Sequence, residues 1–257
     1  MINNQVYIRG VNMKASHQKI NASELYYLPS SDMHPANTRF HFSFAHYYNP
    51  ARMNFGALRV LNDDDITPHN GFDRHPHRDM EIISYIVKGK LTHWDSVTNK
   101  EETIGRGHVQ AISAGSGVWH SELNKQDDWC RLLQIWIMPP KKGGAVRYHH
   151  QQFELEDREN KLLQIVGNPE NNNTAPLTIN SDVNLYVSEL TNSRAVVKFE
   201  LQPGRQAYIN CIEGSLQIEG YPSLNERDSL ELSAAGKINF SLQVPYAHFL
   251  IIEMESH

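Results

Sequence analysis

The sequence predicts an all-β protein built from two barrels in tandem. Short β-branched and aromatic runs, broken by Gly, Pro, Asn and Asp, recur from residue 38 onward. Their spacing of about 8–12 residues marks sandwiches and barrels. Long amphipathic stretches of helical period are missing. A weak internal repeat then divides the chain: Tyr85-Ile-Val-Lys-Gly89-Lys-Leu-Thr-His-Trp94 resembles Asn210-Cys-Ile-Glu-Gly214-Ser-Leu-Gln-Ile-Glu219. Each copy reads as a strand, a glycine turn and a second strand.

In chain order, strands are expected at Phe55–Val60, Ile82–Val87, Val109–Ile112 and Leu132–Ile137. Between the first two, Asp63-Asp-Asp65 reads as a solvated turn. The best helix candidate is the short polar region from Phe153 to Lys161, and Asn168–Asn180, with its three consecutive asparagines, reads as an irregular surface loop. These segments sit where a linker would, giving expected domains of 1–145 and 146–257. The second half continues with strands at Leu185–Val187, Ala195–Leu201, Ile238–Val244 and Phe249–Ile252.

Composition narrows the function classes. With 40% hydrophobic and 21% charged residues among 257, and no apolar tract of membrane-spanning length, the chain reads as soluble and globular. Its start lacks the basic, apolar and small-residue order of a secretory signal, so a cytoplasmic location is expected. Cys130 and Cys211 have no metal-type spacing and read as buried thiols. A net charge of −5, with no basic run longer than Lys141-Lys142, disfavours direct nucleic-acid binding, though a protein partner could supply it.

The chemistry is concentrated between His75 and Asn124. His75-Pro-His77 puts two imidazoles on one face of a strand, since successive side chains alternate, and Glu81, of the same parity, is expected to look with them. Gly115-Ser-Gly117-Val-Trp-His120-Ser-Glu122 repeats the arrangement with a third histidine and a carboxylate. Three neutral imidazoles and one carboxylate suit a first-row transition ion (iron, manganese, cobalt, nickel, copper or zinc) and not calcium or magnesium. Trp119, Trp136, Phe44 and Phe55 either line a pocket for a planar ligand or fill the barrel core. Arg74 and Arg78 should point to solvent, Met80 should pack, and His149-His150, facing opposite ways, belongs on a surface turn. Aligning Gly89 with Gly214 carries His75, His77 and Glu81 onto Glu200, Gln202 and Gln206, and Ile238-Asn-Phe-Ser holds no counterpart of His120. The second barrel is therefore expected to keep the fold without the ion.

These residues resemble the two cupin motifs, and most nearly the pirin family with its bacterial quercetin 2,3-dioxygenase-like members. The resemblance rests on Gly71-Phe-Asp-Arg-His75-Pro-His77-Arg-Asp-Met-Glu81, His93-Trp-Asp95-Ser96, Ile112-Ser-Ala-Gly-Ser-Gly117-Val-Trp-His120-Ser-Glu122 and Leu133-Gln-Ile-Trp136-Ile-Met-Pro139. Phe42-Ser-Phe-Ala-His-Tyr-Tyr48 and Gly56-Ala-Leu-Arg59-Val add to it. It is continuous from about residue 38 to 153 and weaker afterwards.

The resemblance implies a bicupin whose N-terminal barrel holds one divalent ion, iron(II) by preference, through His75, His77, His120 and Glu122. Generic cupins use the glutamate four residues after the second histidine, here Glu81. Pirins use the one two residues after the third, here Glu122, which leaves Glu81 to orient an imidazole. The implied activity is a metal-dependent dioxygenase of the quercetin 2,3-dioxygenase type, acting with O2 on a flavonol or similar enediol-type aromatic. Glu122, or Glu81 if free, would be the base. The alternative is a metal-dependent redox sensor or transcriptional co-regulator acting through a protein partner, with isomerase or sugar-binding chemistry ranked last. A monomer or weak dimer is expected. Residues 1–37, with His17-Gln-Lys and Met33-His34-Pro35, are longer than the family needs.

Overall fold

Strands that pair into two facing sheets can enclose a barrel, and the computed structural model, which describes residues 16–169 and 175–256, is nearly all β. In the first barrel a seven-stranded sheet runs Arg147–Gln152, His108–Ser113, Glu81–Lys88, Cys130–Ile137, Leu58–Ile66, Ala36–Phe40 and Tyr26–Leu28. A four-stranded sheet covers it, in the order Asn70–His77, Val118–Asn124, Lys90–Asp95 and Glu101–Gly105.

Both faces of the larger sheet are covered. Ile82 and Ile86 pack inside the first barrel, whereas Ile83, Tyr85, Leu133 and Ile135 join Val187, Tyr208, Leu250 and Ile252 of the second in one core. A strand buried on both faces reads as an apolar run without alternation, as Ile82–Val87 does, interrupted only by Ser84.

The second barrel is a nine-stranded sheet organised by two long strands, Arg205–Ile218 and Gly236–Glu255. Their pairing shifts register between Cys211 and Glu213 and between Gly214 and Leu216. The repeated glycines mark the same bend in both barrels. Gly89 has φ +75° and Gly214 φ +77°, and a Cβ on either would strike a backbone carbonyl of the adjacent strand, that of Trp129 or of Tyr246. Only glycine satisfies both conditions.

The pairing departs from the expected division at 145/146. Strand Arg147–Gln152 belongs to the first barrel, pairing with His108–Ser113 along its whole length, and His17–Ile20 adds to the second barrel beside Ser229–Leu232. Periodicity could not show either, because both pairings are set by distant partners. The expected helix shrinks to Leu155–Arg158, and the buried Arg158 guanidinium bonds Glu189 at 2.7 and 2.9 Å. Part of the Asn168–Asn180 loop, residues 170–174, lies outside the described residues, while Leu177–Thr178 forms a short parallel strand. Asp63-Asp-Asp65 is not a turn: it lies within Leu58–Ile66, with Asp63 on Arg131 at 2.7 Å and Asp65 on Arg227 at 2.9 Å. Arg131 from the neighbouring strand and Arg227 from the turn before Ser229–Leu232, invisible locally, pair this acidic run and let it form a strand. Among the described residues no helix is long and apolar enough to cross a membrane.

Candidate metal centre

Antiparallel pairing sets His120 opposite His75 and Val118 opposite His77, so three imidazoles turn to the barrel interior. Nε2 of His120 lies 3.0 Å from Nε2 of His75. His75, His77 and His120 each offer a nitrogen within 4.8 Å of the other two. The Nδ1–H of His75 donates to the Asp73 carbonyl at 2.6 Å, which assigns the lone pair to Nε2, the nitrogen facing its neighbours. A bulge follows, since His120 opposes His75 but Glu122 opposes Phe72. The extra residue reverses parity and turns Phe72 inward beside Glu122. Gly71 makes room, because a Cβ there would meet the Glu122 carbonyl.

Glu122 is only 1% exposed, and the opposite sheet provides its partners. Asn62, Gln134, Ser84 and Gln110 stand opposite one another on four adjacent strands, forming a polar row across the inner face. Ser84 Oγ and Gln110 Nε2 each donate to Glu122 Oε1 at 2.7 Å, and Gln134 Nε2 donates to Oε2 at 2.6 Å. A carboxylate offers about four lone-pair sites. Three are taken, which leaves one on Oε2.

Burial, reinforced by the neighbouring imidazoles, lowers the pKa of both His77 and His120 to about 3. Both are neutral at physiological pH, the form that binds metals. His93, also buried, lies on the other side of His120. Its Nε2 bonds Asp95 at 3.2 Å and its ring stacks on Tyr148 at 4.7 Å. His93, His120 and Glu122 form a second group with ligand atoms within 4.8 Å of one another. Burial opposes ionisation of Asp95, but bonds from His93, Thr98 and Val97 outweigh it and lower its pKa to about 2.

His75 and His77 open onto a cavity of about 360 Å³, the size that takes a small organic molecule. Phe40, Phe44, Phe72 and Trp136 supply apolar walls, and Asn62, Asp64, Glu122 and Gln134 polar ones. Trp136 meets Phe44 edge-on at 5.1 Å and His77 at 4.8 Å. The other two aromatics of the sequence reading lie elsewhere: Trp119 is 52% exposed, and Phe55 packs on Tyr208.

Residues 25–137 match the family model described as Pirin, and residues 165–254 match the one described as Quercetinase C-terminal cupin domain. A pirin-like protein of Caulobacter vibrioides is 40% identical over 190 residues, covering 74% of this chain and 80% of that protein. The chain belongs to the pirin family. A quercetin 2,3-dioxygenase of Escherichia coli K12 is 38% identical over 180 residues, covering 70% of this pirin and 75% of the relative. Among solved structures, the Escherichia coli pirin YhhW in complex with nickel(II) superposes with a TM-score of 0.83 at 28% identity, covering 94% of this chain and 100% of the other.

In this pirin the structure brings His75, His77 and His120 together and sets Glu122 on the same cavity, but it directs Glu81 elsewhere. The Asp79 turn, with φ +53°, separates Glu81 from the histidine strand and voids the parity rule between them. Glu81 accepts bonds from Ser113 at 2.6 Å and Asn180 at 2.7 Å, on the side facing the second barrel. Among the described residues it bonds no imidazole and does not line the cavity beside His75 and His77. Arg74 and Arg78 are exposed as expected, Arg74 lying 3.7 Å over the Trp94 ring. His149 and His150 are exposed on an edge strand, not a turn. Sequence reasoning missed the row of Ser84, Gln110 and Gln134, although a polar residue inside an apolar strand is a usable signal. It also left His93 unassigned.

Proposed function

We propose that this pirin is a metal-dependent dioxygenase of the quercetin 2,3-dioxygenase type, which cleaves a flavonol or similar enediol-type aromatic with O2. The observation that carries the reading is the cluster of His75, His77 and His120 beside an aromatic-walled cavity that the buried Glu122 also lines. The donor set fits a first-row transition ion. Two imidazole nitrogens 3.0 Å apart also repel unless a proton or cation lies between them. His75, His77 and His120 would hold the ion, with Oε2 of Glu122 as fourth ligand. Iron(II) is the ion we expect, and manganese, cobalt, nickel, copper and zinc share the same donor preferences. When bound, such an ion supplies Lewis acidity and a route for electrons between substrate and oxygen.

The protein's own groups do the rest. Trp136 and Phe44 flank a planar ring and exclude water from it. Ser84, Gln110 and Gln134 fix the carboxylate plane, so the one remaining lone pair of Glu122 Oε2 has a single direction; it either ligates the ion or, released from it, accepts a substrate hydroxyl proton, and cannot do both at once. Names of relatives support the same activity.

Oxygen uptake with quercetin, after reconstitution with one divalent metal at a time, tests this. Rapid uptake with one metal, abolished in His75→Ala, is the expected result. No uptake from protein shown to hold one ion per chain would refute the oxygenase and favour a metal-dependent regulator that acts through a protein partner.

A further inference from the structure

The cavity has a second polar wall that the metal site does not use. Asn62 and Asp64, two apart on Leu58–Ile66, face the same space as His75, His77 and Glu122, and are only 4% and 2% exposed. Asn62 is the end member of the polar row, yet unlike Gln134, Ser84 and Gln110 it gives nothing to Glu122. Its Oδ1 is buried and, among the described residues, has no hydrogen-bond partner. A buried amide group without a partner is destabilising, so its persistence at a cavity wall points to a ligand that completes it. The conclusion holds for either orientation of the amide, because a hydroxyl can donate to the oxygen or accept from the nitrogen.

Asp64 is held from behind and open in front. Thr38 Oγ donates to its Oδ1, and His34 Nε2 lies 2.8 Å from the same hydroxyl, while no bond reaches Oδ2 among the described residues. Burial, opposed by the Thr38 bond and helped by the negative charges of Asp63, Glu122 and Asp65, raises its pKa to about 7. Asp64 can therefore donate as well as accept near neutral pH.

We propose that Asn62 and Asp64 form a polar subsite that hydrogen-bonds a second hydroxyl of the substrate, separate from the one that approaches the imidazole cluster. The ligand class is then a polyhydroxylated planar aromatic, with Phe40, Phe44 and Trp136 covering its ring. This deepens the dioxygenase reading and rests on it for the placement of the first hydroxyl.

Anaerobic absorbance titration of metal-loaded protein tests the subsite without turnover. Quercetin is compared with 3-hydroxyflavone, which keeps only the 3-hydroxyl. A site built to bond a hydroxyl should favour quercetin by at least about tenfold. Asn62→Leu, close in volume, should weaken quercetin binding to within about twofold of 3-hydroxyflavone while leaving 3-hydroxyflavone binding and metal content unchanged. Asp64→Asn, which retains hydrogen bonding, should lose less of the preference. Equal affinity of the native protein for the two flavonols overturns the subsite, whatever the variants do. So does an Asn62→Leu protein that keeps the preference. Discrimination without oxygen uptake would retain the subsite and refute the oxygenase, uptake without discrimination would do the reverse, and binding of neither flavonol refutes both.

Discussion

Gln134→Leu isolates the support of Glu122 from the ligands themselves. The amide donates to Glu122 Oε2 at 2.6 Å, and leucine fills nearly the same volume without a donor, so packing is retained while one bond to a buried carboxylate is lost. Ser84, which also bonds Gln134 Oε1 at 3.0 Å, can give its single proton entirely to Glu122, so no second group is stranded. A hydrogen bond to a charged group contributes about 1.5–3 kcal/mol. The metal-free variant should therefore unfold roughly 3–12 °C below the native protein. Its metal affinity should fall about 10–100-fold, the usual effect of removing a group that orients a ligand. Competition with a chelator measures the affinity, and thermal denaturation with and without metal measures the stability. A folded Gln134→Leu protein with native metal affinity would refute the claim that the polar row aims the carboxylate at the ion.

Three further outcomes follow from the geometry. Gly89→Ala should destabilise by about 1–3 kcal/mol or more in urea denaturation, because φ +75° and the Trp129 carbonyl both reject a side chain; native stability would contradict the bend assigned to it. Arg131→Met should cost about 3 kcal/mol, since it strips the 2.7 Å partner from a fully buried Asp63 and leaves Arg227 at 3.4 Å; a neutral effect in the same measurement would show that Arg227 suffices. His41 is held near pKa 3, chiefly by burial, against an ordinary 6.5, so its contribution to stability is full above pH 6.5 and declines as pH falls toward 3. At pH 5 that loss is about 2 kcal/mol, and His41→Gln should flatten the dependence of urea stability on pH; an unchanged slope would contradict it.

The site was legible where its chemistry is local and obscure where it depends on pairing. His75, His77 and His120 show themselves through residue type and spacing, and the repeat around Gly89 and Gly214 marks equivalent bends. Glu81 misled because parity counts only within one strand, and the turn at Asp79 lies between. Asp63-Asp-Asp65 misled because charge was read without its partners, and Arg131 and Arg227 lie far along the chain. Gln110, Ser84 and Gln134 come together only through register, which a single strand does not contain.

The pairing of His17–Ile20 with Ser229–Leu232 also has a consequence for synthesis on the ribosome. The earliest described strand must wait for more than two hundred further residues before its neighbour exists. Until then it offers an open edge, a template for mispairing with another nascent chain. Contacts so distant in sequence are intrinsically slow to form. Closure of the second barrel by this strand should therefore come late in folding, after the first barrel and its histidines are already in place.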